Sequence, residues 1–150
     1  MKRIYKVEVE RGITKWFNES GNLHRIEGPA IEHHDGSNHW YLNGKPHREG
    51  GPAVEYADGS KFWHLNGELH REGGHAIEYA CGSKWWFLNG KRHREGGPAY
   101  EGADGSKDWY LNDFGYTEAE YNAVMQKRSS TCNGKIVQID GKSYTLTEVK

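Results

Sequence analysis

Three triplets carry groups able to exchange protons and hold anions: His47-Arg48-Glu49, His70-Arg71-Glu72 and His93-Arg94-Glu95, preceded by His24-Arg25. An imidazole beside a carboxylate can work as acid and base, and an arginine fork can take a carboxylate or phosphate. Catalysis, however, needs different groups converging on one concave place, and these triplets recur every 23 residues. Equivalent positions of a repeat array lie in a row. The imidazoles therefore read as structural, each against a Trp ring with its N–H on a backbone or Glu acceptor. For the arginines two readings stand, a structural Arg–Glu pair between neighbouring repeats and a binding anchor.

Other reactive residues carry less. His33, His34, Asp35 and His39 have the right types for a metal, but strand alternation sends His33 and His34 to opposite faces, and no CxxC or HxxxH accompanies them. Cys81 holds the turn position of Asp35, Asp58 and Asp104 with no base beside it, and it reads with Cys132 as a free thiol of a reducing cytoplasm. No phosphate loop opens a helix. Neither an enzyme nor a metal or other cofactor is expected.

The elements that position these residues follow from the period. Gly-Pro-Ala at 28–30 returns at 51–53, as Gly-His-Ala at 74–76, and at 97–99. Trp40, Trp63, Trp86 and Trp109 keep the same spacing, as do Leu42, Leu65, Leu88 and Leu111. Asp58-Gly59 and Asn66-Gly67 are hairpin-turn dipeptides, and the aromatic segment between them is too short for a helix. Each unit reads as a β-hairpin. The expected fold is mostly β, an antiparallel meander of 23-residue hairpins over 1–112, with a half repeat at 14–27, full repeats at 28–50, 51–73 and 74–96, and a partial one at 97–112.

Composition bounds the possibilities. Hydrophobic residues are 35% and Gly is 20 of 150, so a thick central core is not expected, whereas six Trp and nine Tyr imply large rings packed locally. A net charge of −1, with both signs interleaved, excludes a strong footprint for duplex nucleic acid and argues against an anionic membrane surface. No apolar run approaches the roughly 20 residues of a membrane span. Met1 to Lys6 does not open a secretory leader, and a cytoplasmic location is expected.

The period, the strand ending in Trp-x-Leu-Asn-Gly, the following x-x-His and the Asp-Gly turn resemble MORN repeats. The His-Arg-Glu-x-Gly-Pro-Ala register is similar to a divergent MORN-like variant of bacteria and their phages, over roughly residues 14–112. Arg48, Arg71 and Arg94 stand where the ordinary pattern has Gly, and the Tyr-x-Gly-x-Trp strand is not kept. The resemblance implies scaffolding and contact with proteins or lipids, not a reaction.

If both dipeptides close two-residue loops, Leu65 faces Glu68, Trp63 faces His70, Phe62 faces Arg71, and Val54 faces Trp63. Val54, Tyr56, Trp63, Leu65 and His70 then share a stacking face. The other face holds Glu55, Phe62, His64, Leu69 and Arg71 and varies between units: His39, Phe62, Trp85 and Asp108 in one row, Tyr41, His64, Phe87 and Tyr110 in the next. The candidate binding residues are Phe62, His64, Arg71, Trp85, Phe87 and Arg94, flanked by Arg48, Tyr41 and Tyr110. A slip of one residue would exchange the faces.

A sheet with two aromatic faces and one short helix cannot cover both, and a large exposed apolar stripe marks an interaction surface. Its occupant is a protein partner, which the resemblance suggests is a host protein inhibited by a phage-encoded binder. The alternatives are a small anionic nucleotide-like ligand in Arg/aromatic pockets, a second copy of the chain, and an inert spacer.

Residues 113–150 follow other rules. Thr117-Glu118-Ala119-Glu120 is a capping box, with Tyr116 and Tyr121 as its hydrophobic staple. About three helical turns are expected to reach Arg128 with Tyr121, Val124 and Met125 on one side. Ser129 to Asn133 is a linker, and Lys135 to Ile139 and Lys142 to Leu146 form a hairpin on Asp140-Gly141, with Val137, Ile139, Tyr144 and Leu146 on one face. The segment reads as a cap on the last sheet edge, with a separate docking module as the alternative.

Overall fold

The computed structural model describes residues 5–132, 136–139 and 142–145. The chain opens with β1 (Lys6–Glu10) and β2 (Ile13–Phe17), then β3 (Ile31–His33), β4 (Asn38–His39), β5 (Tyr41–Leu42) and β6 (Lys45–Pro46). The next unit holds β7 (Val54–Glu55), β8 (Lys61–Phe62), β9 (His64–Leu65) and β10 (Glu68–Leu69). The one after holds β11 (Ile77–Glu78), β12 (Lys84–Trp85), β13 (Phe87–Leu88) and β14 (Lys91–Arg92). The array ends with β15 (Tyr100–Glu101), β16 (Lys107–Leu111) and β17 (Phe114–Tyr116), followed by α1 (Glu118–Cys132), β18 (Ile136–Ile139) and β19 (Lys142–Thr145). The fold is mostly β and antiparallel, as expected. It is, however, divided: an eleven-stranded sheet in the order β1-β2-β3-β4-β7-β8-β11-β12-β15-β16-β17, and separate ribbons β5-β6, β9-β10 and β13-β14.

The two turn types explain the division. At the Asn-Gly ends both central residues are left-handed, with φ of 54° at Asn66 and 94° at Gly67. This gives the expected two-residue loop, in which Leu65 faces Glu68. At the Asp-Gly ends only the glycine is left-handed, φ 93° at Gly59. Asp58 Oδ1 instead accepts the Ser60 N–H at 2.7 Å, and the Gly59 N–H donates to the Tyr56 carbonyl at 3.0 Å. The loop therefore has three residues, and Val54 faces Phe62. The expected pairing of Val54 with Trp63 is corrected by one residue, and Val54 and Tyr56 move to the face of Phe62.

Strand pairing changes partner at each Trp. Trp63 donates its N–H to Ala76 of the next repeat at 2.8 Å, while its carbonyl accepts the His70 N–H at 3.0 Å. Ala30, Ala53, Ala76 and Ala99 are fully buried along this line. Arg71 does not pair with Phe62: its N–H donates across to the Phe87 carbonyl of the following unit at 3.2 Å.

Two further clamps recur. The buried Ser37, Ser60 and Ser83 accept, through Oγ, the N–H groups of Ala57, Ala80 and Ala103 one repeat on, at 3.0–3.1 Å. His24, His47, His70 and His93 accept, through Nδ1, the N–H of the next turn's Asn at 3.1–3.2 Å. The histidines are thus structural, but they hold the neighbouring turn's backbone through an accepting nitrogen. In addition, Nδ1 of His24, His70 and His93 lies 2.9–3.0 Å from the same Asn Oδ1, and His93 Nε2 lies 3.8 Å from Glu95 Oε1.

At the start, β1 adds a strand ahead of the half repeat, through a turn with φ of 49° at Arg11 and 76° at Gly12. At the end, Thr117 and Glu120 form the expected reciprocal cap: the Thr117 N–H donates to Glu120 Oε2 at 2.8 Å and the Glu120 N–H to Thr117 Oγ1 at 3.3 Å. No Gly or Pro stands between Arg128 and Cys132, and the helix continues to Cys132 where a linker was expected. It lies against β16 and β17. Tyr121 is buried, donates its hydroxyl to the Arg94 carbonyl at 2.8 Å and accepts the Gly97 N–H at 3.2 Å. It covers the loop that a further repeat would otherwise cover. β18 and β19 pair with Ile139 facing Lys142. Asn133, Lys135, Asp140, Gly141 and Leu146, and the hairpin's side-chain face, lie outside the described residues.

Candidate binding surface

The three-residue loop aligns one row across the broad sheet. Ile31, His39, Val54, Phe62, Ile77, Trp85 and Tyr100 are successive cross-strand partners. The branched aliphatics in this row are buried between larger neighbours. Rings touch along it: His33–His39 at 5.0 Å, His39–Tyr56 at 5.5 Å, then Tyr56–Phe62 and Phe62–Tyr79 at 5.6 Å. Beyond Ile77 a second cluster gathers on Trp85, with Tyr100 at 4.4 Å, Phe87 at 6.2 Å and Tyr110 at 6.4 Å. Tyr56 and Tyr79 remain 45% and 37% exposed, so this face presents aromatic edges to solvent.

Of the expected binding residues, Phe62, Trp85, Phe87 and Tyr110 are brought together here. Burial, with a smaller effect of Tyr56, pushes the Tyr41 hydroxyl up. His64 lines a groove with Arg48 and Trp63. Burial pushes the His39 and His64 imidazoles below their ordinary value, and His33 adds to the effect on His39. His33 Nε2, His39 Nε2 and His64 Nδ1 are buried without a hydrogen-bond partner among the described residues.

Arg48, Arg71 and Arg94 are not on this face. Each guanidinium lies over the Trp of its own repeat, Arg48 on Trp40, Arg71 on Trp63 and Arg94 on Trp86, at 3.8–4.1 Å from the ring centre. A Cβ at Gly51 would come within 3.1 Å of Arg48 Cζ, tight against the stacked guanidinium. Arg48 and Arg94 also pair with Glu55 and Glu101 at 2.9 and 2.6 Å. The correction has one cause. At each Trp the strand changes partner and leaves the broad sheet, and the arginine follows the Trp side.

Sequence reasoning missed Tyr56, Tyr79 and Tyr100 on the aromatic face, having turned Tyr56 the other way. The recurring Ser after each Asp-Gly was the available signal for the longer loop. It also missed Arg92, which covers the Tyr110 ring at 4.0 Å and pairs with Asp113 at 2.9 Å.

On the Trp side, open grooves of about 530 to 640 Å³ recur between successive His-Arg-Glu loops. No helix among the described residues is long and apolar enough to cross a membrane, and none of their His, Cys, Asp and Glu groups is arranged to hold a metal ion. Compared with models of known families, with curated proteins and with solved structures, the chain matches none.

Proposed function

We propose that the chain is a non-enzymatic binding module that engages a protein partner through its aromatic face. The observation that carries this is the row of rings from His33 to Tyr79, continued at Trp85, in which Tyr56 and Tyr79 stay exposed beside the buried Val54 and Ile77. Aromatic side chains contribute large contact area at low entropy cost, and interface centres are enriched in them. The MORN-like register, with a phage-encoded inhibitor of a host protein acting in the cytoplasm, belongs to the same proposal and rests on sequence resemblance. A triple Tyr56→Ser, Tyr79→Ser, Tyr100→Ser variant tests it. Cross-linking in host lysate should enrich a partner with the wild type and lose it with the variant, whose retained fold is checked by circular dichroism. Equal capture by both would overturn the reading. A wild-type dimer in light scattering that the variant abolishes would transfer the face to a second copy of the chain.

A further inference from the structure

The four stacked arginines are not equivalent. Arg25, Arg48 and Arg94 each donate from Nη1 to a Pro carbonyl four residues on, at 3.0–3.1 Å, and to a Glu carboxylate seven residues on, at 2.6–2.9 Å. Arg71 keeps the carbonyl bond, to His75 at 3.1 Å, and its stacking on Trp63. It has no carboxylate partner among the described residues. The reason is a single difference between repeats. His75 stands where the others have Pro29, Pro52 and Pro98, and its Nε2 lies 3.1 Å from Glu78 Oε2. That contact draws away the carboxylate that would complete Arg71, and the His75 ring is fixed edge-on between Trp63 and Trp86 at 5.8 and 5.5 Å. Arg71 also borders two of the recurring grooves, one floored by Trp63 and the other by Trp86.

We infer that Arg71 is the anchor of a small-ligand site taking a single carboxylate on an apolar or aromatic stem. The sister repeats show the bonding the arginine accepts: one backbone carbonyl and one carboxylate. A groove of about 640 Å³ floored by Trp86 and Leu88 suits the apolar stem. Charge selects the monoanion. Glu72 and Glu95 also line this groove, and a phosphate dianion would be repelled by them. The site lies on the opposite side of the sheet from the aromatic face and does not depend on what that face binds.

Titration of the full chain with phenylacetate, followed by the indole N–H signals of Trp63 and Trp86 and the Arg71 Nε–H signal, tests the assignment. His75→Pro recreates the sister geometry, returns Glu78 to Arg71 and should weaken binding by about ten-fold or more, with the melting temperature kept or raised. Arg71→Gln should weaken it similarly. Phenyl phosphate should bind more weakly than phenylacetate, and so should an acetylated, amidated Gly-Glu-Gly peptide. Undiminished binding in a folded His75→Pro chain, or no response of the three signals to phenylacetate, would overturn the site. Preference for phenyl phosphate would overturn the ligand class, and preference for the peptide would overturn the small-ligand assignment in favour of a partner's acidic side chain.

Discussion

The two faces of the broad sheet are built from the same kinds of residue to different ends. On one side, Trp40, Trp63 and Trp86 each carry an arginine, and the same contacts recur in every repeat with only Arg71 altered. On the other, the equivalent row reads His39, Phe62 and Trp85, and the rings meet at angles that differ from unit to unit. A contact that must fit its own copy in the next repeat tolerates little variation, because each change is felt on both sides of the stack. A face turned to solvent has no such constraint. The aromatic face accordingly varies at its rings while it keeps the buried aliphatics Ile31, Val54 and Ile77 between them.

Substitution on each side should expose that separation most strongly at the rings. Trp63→Ala is expected to cost about 2–4 kcal/mol, since it removes a half-buried indole and the seat of Arg71. Phe62→Ala, one residue away, should cost roughly half as much. Urea denaturation of the two variants checks this. Equal losses would mean that both faces are cohesive.

The arginines sharpen the comparison. Arg48→Ala should cost about 1–2 kcal/mol, mostly from lost stacking, because the ion pair with Glu55 is partly exposed and contributes little. Arg71→Ala should cost less by up to about 0.5 kcal/mol, having no carboxylate to lose. The same denaturation series reads both values, and a larger loss at Arg71 would contradict the geometry of its repeat.

At the turns, Ser60→Ala leaves the Ala80 N–H without its acceptor and should cost about 1 kcal/mol. Ser106 is exposed, and its hydroxyl donates to its own Asp104. Ser106→Ala should be close to neutral in the same assay.

The smallest effect is a pH dependence set by two half-buried imidazoles. His39 and His64 have imidazoles held below their ordinary value of 6.5 by burial, so the unfolded chain binds protons more readily than the folded one. Their stability contribution is complete above about pH 6.5 and declines as pH falls below it. Melting of wild type and His39→Phe between pH 7.5 and about 5 should diverge, with the variant losing less. Parallel curves would show that His39 charges freely in the fold.

Much of this was legible without coordinates. The period, the hairpin unit, the left-handed Asn-Gly turns and the Thr117 cap follow from local chemistry, because each depends on a few adjacent residues. The Asp-Gly loop was misjudged for a reason just as local. Asp58 prefers to accept the Ser60 N–H over adopting positive φ, and the added loop residue shifts Val54 and Tyr56 to the other face. The arginine positions could not follow from that register, since their stacking requires the strand to leave the sheet at each Trp.

Sequence alone therefore determined what recurs: the turn dipeptides, the rows of Trp and Leu, and the hairpin unit that carries them. It did not determine what each recurring group touches. His47 and Asn66 lie 19 residues apart and Ser37 and Ala57 20 apart, and they meet through stacking of successive units, not through any local pattern. Arg71 shows the limit most clearly. Its triplet reads like the others, and only the placement of the His75 ring between two indoles, with Glu78 drawn toward it, separates that arginine from its sisters. Local bonding preferences are written in neighbouring residues, whereas the competition of two side chains for one carboxylate depends on distances that exist only once the repeats are stacked.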